Sequence, residues 1–161
     1  MRPARAFWPG IGIAVLIVAC DQLTKWWIIW KVMAPPRAIE ITPFFNLVMV
    51  WNPGISFGLF SSASPLNAMV LSALALLVAA ILLVWLYRSE RLFIGSAIGM
   101  IVGGAVGNVI DRFRYGAVAD FLDFHVAGYH WPAFNLADAA ICVGAVALLA
   151  DGLLAPRRQY T

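Results

Sequence analysis

Four long apolar stretches dominate the pattern along the chain. They cover residues 7–30, 66–87, 92–110 and 136–154, and most polar residues lie between them. A helix needs about 20 mostly apolar residues to cross a bilayer, and each stretch is close to that length. The pattern therefore predicts four transmembrane helices within a single integral membrane domain, residues 1–161.

The first stretch also has some features of a cleaved signal peptide. Arg2 and Arg5 precede it, and residues 17–19 before Cys20 resemble the cleavage box of a lipoprotein. The apolar run continues past Cys20 to Trp30, however, and a removable signal peptide has a shorter apolar region. We therefore expect this stretch to be retained as a transmembrane helix.

Two connections between the stretches carry structural signals of their own. Residues 39–42 alternate in polarity and residues 44–51 are rich in apolar side chains, which predicts short strands at the membrane interface. Residues 111–135 are rich in aromatic side chains, which favour the level of the lipid headgroups. The predicted fold class is an all-α membrane protein of four transmembrane helices, with a small β-containing periplasmic loop region between helices 1 and 2.

Glycines recur at every fourth position of the third stretch. Gly95, Gly99, Gly103 and Gly107 thus share one face of the predicted helix. Small residues at this spacing let the backbones of neighbouring transmembrane helices approach closely. The stripe predicts tight helix packing and indicates no chemistry.

Composition supports a bilayer as the surroundings of this chain. Hydrophobic residues make up 63% of the 161 residues and charged residues 12%, whereas soluble domains have about 45–50% and about 25%. The net charge of +3 is not gathered into the basic stripe that nucleic-acid binding needs. Cys20 and Cys142 both lie in apolar runs, as small apolar side chains do. These features exclude a nucleic-acid partner and give little support to a disulfide.

The distribution of lysine and arginine predicts the orientation in the membrane. Short cytoplasmic segments next to membrane spans carry an excess of basic residues. With the N-terminus inside, six basic residues lie on the inner side and five on the outer side. The inner six are Arg2, Arg5, Arg88, Arg91, Arg157 and Arg158. We therefore expect cytoplasmic termini and two outer loops.

Five of the eight carboxylates gather at the predicted outer ends of the spans. They are Asp21, Asp111, Asp120, Asp123 and Asp138, and Asn52, Asn108 and Asn135 lie at the same level. Ionisable groups near membrane depth are costly, so their concentration at one face favours a functional site. Single pairs have structural alternatives, since Asn135 with Asp138 could cap a helix and Asp111 with Arg112 could form an ion pair.

Two neighbouring carboxylates can act as general acid and general base on a peptide bond. They cannot both ionise cheaply, so one takes a proton from water while the other polarises a carbonyl. Such aspartyl peptidase chemistry needs no metal.

Two alternatives to aspartyl peptidase chemistry stay open. His125 and His130 could form a metal site with Asp120 and Asp123, although the chain lacks an H-E-x-x-H pattern. A small proton- or cation-coupled transporter or channel subunit would also use membrane carboxylates, but usually at the midplane.

Five short motifs follow one another along the chain: Asp21–Lys25, Asn52–Gly54 leading to Phe57 and Gly58, Gly107–Arg112, Val118–Phe121 and Phe134–Asp138. Together and in this order they resemble the bacterial lipoprotein signal peptidases, also called signal peptidase II or prolipoprotein signal peptidase. Each motif alone is weak, whereas five in family order across nearly the whole chain are specific. Trp51 departs from the pattern, since many relatives carry arginine there.

The resemblance implies an aspartic endopeptidase of the bacterial inner membrane without metal or other cofactor. Its substrate would be a diacylglyceryl-modified prolipoprotein, cut just before the lipid-bearing cysteine at the outer face. Membrane phospholipid would be the other partner, and the protein would be a monomer.

The resemblance also implies roles for residues. Asp120 and Asp138 occupy the positions of the catalytic pair. Asp111 is the alternative candidate for the catalytic position given to Asp120. We assign it instead as a support residue that holds the loop and the catalytic site in place through Arg112. The other substrate-binding or support residues are Asn52, Gly54, Asn108, Asn135, Asp21 and Lys25.

Overall fold

The computed structural model describes residues 2–54 and 65–154. Within them lie four α-helices, each long and apolar enough to cross a membrane, which confirms the predicted fold class. They are α1 (Phe7–Trp27), α2 (Pro65–Arg88), α3 (Leu92–Tyr115) and α4 (Leu136–Leu154). The motif residues Phe57 and Gly58 and the basic residues Arg157 and Arg158 lie outside the described residues.

Helix α3 lies at the centre of the bundle. In its most apolar stretch 67% of the residues are buried inside the protein, whereas in each of the other three helices the share is 17%. A Cβ atom on Gly103 would lie 2.6 Å from the carbonyl oxygen of Ala14, and one on Gly99 would collide with the carbonyl oxygen of Gly10. The predicted packing role of the glycine stripe is therefore confirmed, since only glycine permits this approach to α1.

Helix α3 ends at Tyr115 and not at the predicted residue 110. Asp111 and Arg112 therefore belong to its last turns. The helix stops because Gly116 adopts a left-handed conformation with φ 74°, and its N–H donates to the carbonyl oxygen of Arg112 over 3.0 Å. The apolar pattern ends before the helix does, because Asp111 is polar yet buried and Arg112 is half-buried within its last turns.

The connections between α1 and α2 and between α3 and α4 build one antiparallel sheet. Its strands are β1 (Ile39–Thr42), β2 (Phe45–Asn52), β3 (Val118–Val126) and β4 (Tyr129–His130), in that order. The sequence predicted strands only between the first two helices, so β3 and β4 are additions. Four successive residues at the start of β3 are buried, and this run hides the alternation by which a half-buried strand is usually detected.

The sheet covers one end of the helix bundle. A π-helical turn (Ile28–Val32) follows α1, and its Ile28 packs with Met33 and with Phe121 of β3 in a small apolar core. The C-terminal ends of α1 and α3 and the N-terminal end of α4 meet beneath this sheet. We call this region the sheet end of the bundle.

Candidate functional site

The sheet end of the bundle holds a cluster of buried polar side chains. Asp21, Lys25, Asn108, Asp111, Asp120 and Asn135 are all buried there, and Asp138 is half-buried beside them. The cluster includes most of the residues that the sequence singled out, and they come from α1, α3, β3 and α4. Burying so many polar groups is costly unless each one has a partner, and the contacts below supply those partners.

Asp120 lies near the start of β3, opposite Val50 of β2, and is 1% exposed. Its Oδ2 accepts a hydrogen bond from Nδ2 of Asn52 over 3.0 Å, and its Oδ1 accepts one from Nδ2 of Asn135 over 2.7 Å. The sheet sets the first contact, because Asn52 ends β2 and pairs with Val118. Two amides thus fix the orientation of this carboxyl group.

Asp138 lies in the first turn of α4 and also caps it. The backbone N–H of Asn135 donates to Oδ2 of Asp138 over 3.2 Å, and the N–H of Asp138 donates to Oδ1 of Asn135 over 2.9 Å. This reciprocal pair is a capping box, as the structural alternative predicted. Nδ2 of Asn108 donates to the other oxygen, Oδ1 of Asp138, over 2.7 Å. Asn135 therefore contacts both carboxylates, Asp120 through its side chain and Asp138 through its backbone.

The surroundings of Asp120 oppose its negative charge. Burial raises the pKa of Asp120 to about 7, and the nearby charge of Asp138 adds to this rise. The donors on Asn52 and Asn135 and the more distant charge of Lys25 act in the opposite direction without cancelling it. Burial and the repulsion between the two carboxylates thus keep Asp120 partly protonated near pH 7.

Asp111 faces the helix bundle. Its Oδ2 forms an ion pair with Lys25 at 2.8 Å and accepts the backbone N–H of Ala119 over 3.2 Å, while its Oδ1 accepts Nε2 of Gln22 over 3.0 Å. Gln22 belongs to the first motif, but this contact with Asp111 was not predicted from the sequence. Asp111 thus joins α1 to the start of β3.

A cavity of about 300 Å³ opens beside Asp138, between α2, α3 and α4. Its polar lining is Asn52, Gly54, Asn108, Arg112 and Asp138, and its apolar lining is Leu71, Leu74, Ala75, Val78, Ile101, Ala105, Val118 and Ile141. Arg112 donates through Nη2 to the carbonyl oxygen of Gly54 over 3.0 Å, whereas its Nε is buried and has no hydrogen-bond partner among the described residues. A few polar groups at one side of an apolar cleft are typical of a binding site.

Asp123 and the two histidines form a separate group at the far end of β3. Nδ1 of His130 lies 2.9 Å from both carboxylate oxygens of Asp123, Nδ2 of Asn46 donates to Asp123 over 3.1 Å, and His125 stacks on His130 at 4.8 Å. Burial acts to raise the pKa of Asp123, but the contacts with His130 and Asn46 outweigh it and hold the pKa below its usual value. Within residues 2–54 and 65–154, no three His, Cys, Asp or Glu side chains are arranged to hold a metal ion.

The chain is similar to known proteins over most of its length. The family described as Signal peptidase (SPase) II matches residues 13–154. A "Lipoprotein signal peptidase" of Nitrobacter hamburgensis is 45% identical over 159 residues, which are 96% of this chain and 95% of that protein. Another "Lipoprotein signal peptidase", from Ralstonia nicotianae, is 46% identical over 153 residues, or 93% of this chain and 87% of that protein.

A solved structure has a similar fold. The structure described as "Bacterial membrane enzyme structure by the in meso method at 2.3 A resolution" has a TM-score of 0.81 and 28% sequence identity, and the match covers 100% of this chain and 99% of that one. None of these relatives supports the transporter alternative. The chain belongs to the signal peptidase II family, and it is a multi-pass membrane protease.

Proposed function

We propose that the protein removes the signal peptide from diacylglyceryl-modified prolipoproteins, cutting just before the lipid-bearing cysteine, with Asp120 and Asp138 as the catalytic pair. One observation carries the assignment: Asn135 contacts both carboxylates, one through its side chain and the other through its backbone. Asp138 also lines a largely apolar cavity that reaches α2. The apolar lining suits a substrate that carries a lipid next to the scissile bond.

The two carboxylates take different roles because their surroundings differ. Asp138 borders the cavity and accepts donors from Asn108 and Asn135, which suits a carboxylate that takes a proton from water. Asp120 is buried behind it with a pKa of about 7, which suits a carboxyl group that still carries its proton at neutral pH. We assign Asp138 as the general base and Asp120 as the general acid.

The reaction then proceeds without a covalent intermediate. Asp138 takes one proton from a water molecule as the hydroxyl adds to the scissile carbonyl carbon, and Asp120 gives its proton to the carbonyl oxygen. The tetrahedral diol returns a proton to Asp120 as it collapses, and the carbon–nitrogen bond breaks. Asp138 gives its proton to the leaving amine of the lipid-bearing cysteine, so both carboxyl groups end as they began.

Arg112 and Asn52 are placed to bind the substrate backbone beside this pair. The Nε donor of Arg112 is buried without a partner among the described residues, and a substrate carbonyl would satisfy it. Asn52 is held by the backbone N–H of Gly54, which donates to its Oδ1 over 3.1 Å and turns its amide toward Asp120. The carbonyl oxygen of Gly54 in turn accepts a hydrogen bond from Nη2 of Arg112.

We place the sheet end of the bundle at the outer face of the bacterial inner membrane, with both termini in the cytoplasm. Arg88 and Arg91 at the opposite end support this orientation. Exposed aromatic side chains surround the sheet end, as at a lipid headgroup layer, where phospholipid would contact them. They include Trp26, Trp27, Trp30, Phe44, Phe113, Tyr129 and Trp131. The proposed mechanism uses residues of one chain alone, so it needs no second copy of the protein.

The test is cleavage of a diacylglyceryl-modified prolipoprotein by the purified protein in detergent, with and without a chelator. Asp120→Asn and Asp138→Asn should each lower kcat about 10²–10⁴-fold, because each removes one proton-transfer group. Asp123→Asn is the matched control, since it changes a carboxylate of the same strand that pairs with His130 outside the site. It should cleave at the rate of the unchanged protein.

Three outcomes would contradict parts of the proposal. Full activity of Asp120→Asn together with an inactive but folded Asp111→Asn would show that Asp111 is the catalytic acid. Loss of cleavage in the chelator would favour the metal alternative. Equal cleavage of the unmodified precursor would rule out the diacylglyceryl group as part of the recognised substrate.

A further inference from the structure

Lys25 on α1 is almost completely buried, with 2% of its side chain exposed, yet its ammonium group has three partners. Its Nζ lies 2.8 Å from Oδ2 of Asp21 and 2.8 Å from Oδ2 of Asp111, and it donates to Oδ1 of Asn108 over 3.1 Å. An ammonium group has three N–H donors and no acceptor. Each donor of Lys25 therefore meets one acceptor, which is the pattern of the charged form.

The third partner, Asn108, links Lys25 to Asp138. Because Oδ1 of Asn108 accepts from Lys25, and also from Nδ2 of Asn135 over 3.2 Å, its own Nδ2 is turned toward Asp138. A rotated amide would bring its oxygen against the carboxylate of Asp138 and its NH₂ group against the ammonium of Lys25. Both contacts of the rotated amide would be repulsive.

We propose that Lys25 is a positioning residue for catalysis, which locks the amide of Asn108 so that its donor side faces Asp138. The inference rests on the proposed roles of Asp120 and Asp138. Lys25 itself lies behind Asn108 and touches neither carboxylate of the pair. Its ion pairs with Asp21 and Asp111 hold the ammonium group at the position from which it reaches Asn108.

The charge of Lys25 gives this arrangement a second, measurable effect. Lys25 is among the groups that lower the pKa of Asp120, against burial and the charge of Asp138, which raise it. Arg112 of α3 also interacts electrostatically with Asp120. Removing the charge of Lys25 should therefore raise the pKa of Asp120 and move the alkaline fall in activity to higher pH.

The experiment compares Lys25→Met with Asp21→Asn by kcat, KM and the pH dependence of prolipoprotein cleavage. Lys25→Met should lower kcat about tenfold or more with little change in KM. The reason is that the amide of Asn108 is then free to rotate and lose its hydrogen bond to the carboxylate of Asp138. Its alkaline limb should move to higher pH. Asp21→Asn breaks an ion pair in the same cluster but leaves Lys25 on Asn108, so its alkaline limb should stay in place.

A double variant guards against a folding defect. Lys25→Met with Asp21→Asn removes one positive and one negative charge, so the net charge of the cluster equals that of the unchanged protein. Compared with Asp21→Asn alone, this variant should show the same kcat loss and pH shift as the single Lys25 change.

A second comparison asks whether Lys25 acts through Asn108. In an Asn108→Leu background the amide is gone, so Lys25→Met should lower kcat by less than about twofold further. The inference would be overturned if the kcat losses of Lys25→Met and Asn108→Leu multiplied in the double variant. It would also be overturned if the pH profile stayed unshifted both in Lys25→Met and in Lys25→Met with Asp21→Asn. Neither result would affect the proposed catalytic pair. Active Asp120→Asn or Asp138→Asn variants would instead overturn the proposed function, whatever Lys25 does.

Discussion

At the residue scale, the proton held by Asp120 sets an expected pH dependence. The raised pKa of about 7 keeps Asp120 protonated below that pH, and the proposed mechanism needs this proton. As pH rises through about 7 the proton is lost, so kcat should fall on the alkaline side with a midpoint in that region. A pH–kcat profile of prolipoprotein cleavage measures it, and the midpoint belongs to the Asp120–Asp138 pair as a unit. A profile that is flat from pH 6 to 9 would contradict the assignment of Asp120 as the acid.

Asn52 offers a sharper test of the same carboxyl group. Its amide donates to Asp120 and lowers the pKa of that residue, so Asn52→Leu should shift the alkaline limb to higher pH and lower kcat about tenfold. The matched control is Asn46→Leu on the same strand, which removes the equivalent donor from Asp123. The control should keep the pH profile of the unchanged protein, and a shift in both variants would point to damage of the sheet.

Most residues of the buried polar cluster were predictable from the sequence, but their hydrogen-bond and ion-pair partners were not. Asp120 and Asp138 stood out because carboxylates are rare in a chain this apolar. The three asparagines, Asn52, Asn108 and Asn135, were found because they lie at the same level of the predicted spans. Asp123 was grouped with them by sequence position, whereas the structure pairs it with His130 at the other end of β3. Gln22 was not assigned because its contact with Asp111 spans 89 positions of sequence. Such contacts depend on how helices pack, and local pattern does not carry that information.

At the element scale, the glycine stripe of α3 is expected to control stability. Gly99→Ala should lower the free energy of unfolding by about 1–3 kcal/mol, because its methyl group would meet the backbone of Gly10. Gly12→Ala in α1 is the matched control, since nothing lies within 4 Å of an added Cβ atom there. Thermal unfolding in detergent compares the two variants. Equal midpoints would contradict the packing role of the stripe.

Helices and strands differed in how well the sequence predicted them. Apolar length alone located all four spans, because a bilayer imposes that length on any helix that crosses it. Strand β3 was not predicted, since its buried start carries Asp120 among apolar neighbours and lacks alternation. The extension of α3 to Tyr115 was also not predicted, because Asp111 and Arg112 look like loop residues until their partners are known.

At the scale of the whole molecule, the proposed orientation predicts a labelling pattern. In a background of Cys20→Ala and Cys142→Ala, a cysteine introduced by Tyr129→Cys should react with a membrane-impermeant maleimide from the periplasmic side. Tyr129 is 85% exposed at the sheet end. A cysteine from Glu90→Cys, at the opposite end of the bundle, should react only after the inner membrane is permeabilised. The reverse pattern would place the termini outside.

The shared sheet and the position of Asp138 also determine when during synthesis the enzyme can become active. Strand β2 leaves the ribosome first, β3 follows after α3, and Asn135 and Asp138 emerge later still, with α4. Until then Asp120 lacks Asn135 as a donor and has no second carboxylate beside it. Under the proposed assignment of Asp120 and Asp138, a nascent chain with three inserted helices therefore cannot cleave a signal peptide. Signal peptides that pass through the same insertion machinery are safe from it until α4 has been made.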